Sequence, residues 1–115
     1  AAGTTCTLPA ATGSGARFRF RITTVATSNS HIIKVANASD TMVGQILGIS
    51  DDAGNVVKPF FAAGTDDTIT LNRTTTGSTR VAEWVEVIDM ATNLWHVDGV
   101  TASTGTEATP FSATV

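Results

Sequence analysis

The sequence predicts an all-β domain, a small antiparallel sandwich or barrel, and three observations carry that expectation. Turn-forming clusters of Gly, Pro, Asn, Asp and Ser recur about every eight to twelve residues along the chain. Residues 17–24 alternate without a break: Phe18, Phe20 and Ile22 fall on one face of an extended strand and Arg17, Arg19 and Arg21 on the other. No segment shows a sustained amphipathic helical spacing, and β-branched Thr and Val, which suit a pleated half-buried surface, are abundant.

Taken in order, residues 4–8 read as a short strand ended by Pro9, and the run from Ala10 to Gly15 reads as a turn. The arginine strand follows, and residues 32–36 are expected to pair with it as a hairpin. In residues 41–50, Gly44 and Gly48 each cost about 1 kcal/mol in a helix interior, so an irregular strand with a bulge is expected. Residues 51–55 form a turn, and residues 56–61 an extended segment that Pro59 confines to a sheet edge. Residues 68–71 are a short strand, residues 72–80 a Thr-rich loop, and residues 81–88 the second long strand. Residues 94–97 return from it, and Phe111 in the closing tail is expected to tuck against the body.

A length of 115 residues implies a single domain, 1–115, with residues 1–8 as a flexible N-terminal arm. The net charge of −3 and pI near 5.1 argue against a nucleic-acid partner. No stretch approaches the roughly 18 apolar residues of a membrane-spanning helix, so no membrane partner is expected. No charged and apolar leader pattern stands at Ala1, so the expectation is a chain whose leader was removed or never existed. The lone Cys6 has no intrachain disulfide partner and reads as a small half-buried hydrophobe. With 15% charged residues and many small ones, the surface is expected to pack against other subunits.

A row of three arginines about 7 Å apart repels itself unless carboxylates lie opposite, and Glu83 and Glu86 of the second long strand are the expected partners, within the chain or across a subunit interface. His31 and His96 have no metal-ligand spacing. The pairs Asp51-Asp52 and Asp66-Asp67 do not match a calcium loop and read as turn carboxylates. No nucleophile elbow, phosphate loop or same-face carboxylate pair is present, so no catalytic residue, metal or cofactor is expected and the chain is read as a non-enzyme. Trp84 and Trp95, on strands joined by a short turn, are either core anchors or an exposed stacking platform for a sugar.

Four stretches carry a resemblance. They are Thr7-Leu8-Pro9-Ala10-Ala11-Thr12-Gly13-Ser14-Gly15, Ile33-Lys34-Val35-Ala36-Asn37-Ala38-Ser39-Asp40-Thr41-Met42-Val43-Gly44, Asp67-Thr68-Ile69-Thr70-Leu71-Asn72, and the closing residues 104–115 with Pro110-Phe111-Ser112 at their centre. Together they resemble small tailed-phage virion proteins of the head-decoration or head-fibre type. The resemblance implies a β domain that forms a homotrimer and sits on the outer capsid surface of the virion, against the major capsid protein, as a structural protein without catalytic residues. On this reading the arm, through Ala1, Ala2, Thr4, Thr5 and Leu8, is expected to face the capsid. The alternative is a carbohydrate-binding or receptor-binding module of a phage fibre or tail, with Trp84 and Trp95 as its glycan platform.

Overall fold

A computed structural model describes residues 1–51, 54 and 56–115. Its strands are β1 (Thr5–Thr7), β2 (Arg17–Arg21), β3 (His31–Lys34), β4 (Thr41–Ser50), β5 (Val57–Phe61), β6 (Thr68–Leu71), β7 (Trp84–Ala91), β8 (Leu94–Ser103) and β9 (Phe111–Ser112), and no helix forms among the described residues. They make two sheets packed as a sandwich, one ordered β1-β3-β6-β9 and the other β2-β7-β8-β4-β5.

The period of two does most of the sorting. In β7 and β8 inward Val85, Val87, Trp95 and Val97 are buried while Trp84, Glu86, Ile88, His96 and Asp98 face out. Met42 and Ile46 from β4 join this layer, and Ile33, Ile69, Leu71 and Phe111 of the other sheet close the core against it. The tail is fastened as expected, since Phe111 is buried and β9 pairs with β6.

Pairing differs from the sequence expectation in three places. The arginine strand does not pair with residues 32–36. It pairs antiparallel with β7, while β3 belongs to the other sheet between β1 and β6. The loop from Ile22 to Ser30 crosses from one sheet to the other, so its length reflects a sandwich connection, not a hairpin. Second, β1 with β3 and β4 with β8 pair in parallel, so neither sheet is purely antiparallel.

Third, β4 runs ten residues beside β8 without a register shift. The shift lies between Asp89 and Ala91 of β7, where Met90 is extruded and 53% exposed. Gly44 is what the long β4 ladder requires: its φ is +119°, and a Cβ built there would stand 2.0 Å from the Val97 carbonyl oxygen. Pro59 sits on β5, which is an edge strand, in keeping with its missing N–H. Of the expected turn at residues 51–55, Asp52, Ala53 and Asn55 lie outside the described residues, as does any role of the Asp51-Asp52 pair.

The N-terminal residues are docked, not free. The Ala1 ammonium donates to Thr27 Oγ1 at 2.6 Å, Gly3 N–H to the Ser28 carbonyl at 2.7 Å, and Leu8 is only 3% exposed within the core. A strand with a buried leucine at its end loses too much apolar burial, about 1.5 to 3 kcal/mol for the leucine alone, to stand away from the body.

Candidate interaction surfaces

The carboxylates divide by face. Arg19 faces Glu86 across the β2–β7 ladder, with Nη2 to Oε2 at 3.1 Å and Nε to Oε2 at 3.2 Å, and Arg17 Nη1 reaches Oε1 at 3.7 Å. The Arg19 guanidinium also lies over the Trp84 ring, 4.6 Å from its centroid. Both arginine side chains are about half exposed or more, so each pair contributes about 0 to 1 kcal/mol. Among the described residues Arg21 has no carboxylate partner.

Glu83 does not join this row. It is 6% exposed, its Oε1 accepts the N–H groups of Ser78 and Ala102, both at 2.9 Å, and its Oε2 accepts those of Thr79 at 2.8 Å and Arg80 at 2.7 Å. Residues three apart in a strand point to opposite faces, so a sequence that aims Glu86 at the arginines aims Glu83 away from them. Its four amide partners organise a loop in which Ser78 and Ala82 have positive φ. The exposed row is therefore three arginines to one glutamate.

Asp89 plays the matching role at the other end of β7. It accepts N–H bonds from Thr12 at 3.0 Å and Gly13 at 2.7 Å and the Ser14 hydroxyl at 2.8 Å, pinning the turn before the arginine strand. Burial pushes its pKa up, but the bonds from Thr12, Gly13 and Ser14 outweigh that and hold it at about 2. Asp40 accepts the Ala11 N–H, and Asp67 those of Thr114 and Val115. Asp66 accepts the Ala63 N–H within its own turn, whereas Asp67 holds the distant C-terminal tail, so only Asp66 is a local turn carboxylate.

The two tryptophans do not form a shared platform. Trp95 is 0% exposed and contacts Phe18 inside the sandwich, with ring centroids 6.1 Å apart. Trp84 lies on the outer face beneath Arg19. Trp95 is level with Asp89, and Asp89 is five residues from Trp84, an odd number that puts the two rings on opposite sides of the sheet. His31 and His96 lie in different sheets, and no group of three or more metal-ligating side chains is found among the described residues.

Two surfaces stand out that sequence reasoning missed. The first is the outer face of the five-stranded sheet on β4 and β5. Register places Leu47 beside Pro59 and Val100, Ile49 beside Val57, and Phe61 beside Gln45, all pointing away from the core. Val43, Ile49, Val57 and Phe61 are 39%, 36%, 51% and 70% exposed. The alternation of β4 hides this face from the sequence, because both its sides are apolar.

The second surface is a groove of about 450 Å³ between the two sheets, on the side where β2 and β1 are the edge strands. Phe20 and Ile22 line one wall, Cys6 the other, and Ile33 and Leu71 belong to its apolar floor. His31 also lines it. Its Nδ1 accepts the Thr4 N–H at 3.1 Å, and its Nε2 is buried without a partner in the chain. No protein-family model, curated protein or solved structure matches this chain.

Proposed function

We propose that the chain is a structural assembly protein that forms a homotrimer and decorates the outer capsid surface of a tailed phage, binding the major capsid protein. The observation that carries the self-association is the uncovered apolar face on β4 and β5, where Val43, Ile49, Val57 and Phe61 lie together beside half-buried Leu47. A contiguous exposed apolar patch of this kind marks an interaction surface. The capsid assignment rests on the sequence resemblance, and the polar groups suit it: the buried carboxylates are committed to loop amides, which leaves them no catalytic task.

Light scattering at low micromolar concentration tests the assembly, with a mass near three times 11.8 kDa expected and a stable monomer refuting it. Immunogold labelling of intact virions tests the location: label over the head surface supports the proposal, and label confined to tail fibres supports a receptor- or carbohydrate-binding module instead. Because Leu8 is in the core and β1 in a sheet, removal of residues 1–8 would disturb the fold itself. The capsid-facing role of the N-terminus is therefore tested by removing residues 1–3 alone, with loss of head labelling in a folded trimer as the expected result.

A further inference from the structure

We infer that the groove beside β2 receives an extended segment of a different protein, added as a strand along the free edge of β2, with carboxylates and apolar side chains alternating along it. Three features of the groove lead to this occupant.

The first is backbone. The N–H of Ile22 bonds to Glu83 and the carbonyl of Ala16 accepts from Asp89, so the even-numbered residues between them face β7. In an antiparallel ladder the alternate residues then turn their N–H and C=O groups the other way. Those belong to Arg17, Arg19 and Arg21, and β2 is the end strand of its sheet. An edge of this kind is a template for strand addition.

The second is charge. The side chains of the same three residues stand on the outer face, where Arg17 and Arg19 share one carboxylate, Glu86, and Arg21 has none among the described residues. An added strand would place every second side chain beside them, and carboxylates at those positions supply what the row lacks. The third is the groove. The remaining side chains of the added strand would point between the sheets, toward Phe20, Ile22 and the apolar floor.

A second copy of this chain does not supply the pattern. Its acidic residues are at positions 40, 51, 52, 66, 67, 83, 86, 89, 98 and 107, and no two are two apart. The partner is therefore another chain, and the inference holds whether or not the protein decorates a capsid.

The test uses the whole protein and a fluorescent peptide of alternating valine and glutamate, about eight residues long, enough to span β2 at roughly 3.3 Å per residue. Anisotropy measures binding, and amide hydrogen exchange measures the edge. Expected results are saturable binding, slowed exchange at the amides of Arg19 and Arg21, and a roughly tenfold loss of affinity in Arg21→Glu or on raising salt from about 0.05 M to about 0.5 M. Arg21 is exposed and makes no ion pair among the described residues, so this substitution leaves the fold intact. No binding at about 1 mM peptide, a micromolar to millimolar scale that even weak segments reach, overturns the inference. So does equal binding of a valine–lysine peptide. Binding without slowed exchange at β2, or equal binding of single-stranded DNA, also overturns it by showing attraction to the arginines alone.

Discussion

If the chain assembles as proposed, replacing Phe61 with serine should dissociate the trimer without unfolding the subunit. Phe61 is 70% exposed on edge strand β5, and it is Phe60, on the opposite side, that packs against the core. Fully burying a phenylalanine contributes about 1.5 to 3 kcal/mol, so covering the exposed part contributes about 1 to 2 kcal/mol per subunit and about 3 to 6 kcal/mol per trimer. At 1.4 kcal/mol per factor of ten, the dissociation constant rises by about two to four decades. For a trimer the half-dissociation concentration follows the square root of that constant, so it should rise by about one to two decades. Sedimentation velocity over a dilution series reads this directly, with circular dichroism confirming the fold. Met90→Ser is the control, since Met90 is 53% exposed but sits at the β7 bulge away from the β4–β5 patch. Identical dissociation curves for wild type and Phe61→Ser, or an equal shift in the control, would refute the assignment of this face to the interface.

Three further outcomes concern the frame that holds these surfaces. Glu83→Gln replaces one acceptor oxygen with an N–H₂ group facing two backbone donors, and at about 1 to 3 kcal/mol per unsatisfied donor it should cost about 2 to 6 kcal/mol in urea unfolding; a loss under about 1 kcal/mol would mean that the four amides do not depend on the carboxylate. Gly44→Ala meets both a positive φ and the Val97 carbonyl, so a loss of about 3 kcal/mol or more is expected, with slowed folding of the β4–β8 ladder ruled in or out by stopped flow. Asp89 has a depressed folded-state pKa, so its contribution is complete above the unfolded value of 3.8 and is lost as pH falls toward about 2. The Ser50 hydroxyl likewise holds Glu107 below its usual value, so it acts in the same direction. The urea midpoint of the wild type should therefore fall between pH 4 and 2, and Asp89→Asn should flatten that part of the profile; an unchanged slope would remove Asp89 from the acid response.

How much of this was legible follows from what each signal encodes. Period-two patterns encode which face a residue takes, so β2, β6 and β7 and the inward Phe111 were readable from residue types. Pairing partners were not, because a strand's own alternation is the same whether its neighbour is β3 or β7. The alternation of the arginine strand therefore points to a carboxylate partner such as Glu86 without identifying the neighbouring strand. Glu83 shares the segment 81–89 with Glu86, yet the three-residue spacing places it on the other face. The split of the tryptophans needed the ladder register and the Met90 bulge, neither of which leaves a mark in composition. The groove at β2 depends on two edge strands from different sheets meeting on one side, a relation between distant segments that only the folded chain displays.

The buried carboxylates also change what the net charge means. Asp40, Asp67, Glu83 and Asp89 are each 6% exposed or less, and each is spent on backbone amides of a loop that has no helix or hairpin of its own to satisfy it. A thin two-layer sandwich with long connections needs such anchors, and acids supply them because one carboxylate accepts several N–H groups at once. Four of the ten acidic residues are thereby withdrawn from the surface, leaving at most six against seven lysines and arginines. A formal charge of −3 thus coexists with a surface that carries no acidic excess and with a strand edge, at Arg17, Arg19 and Arg21, that is cationic. Partner chemistry follows the exposed charges, and here they suit the acidic segment inferred at β2.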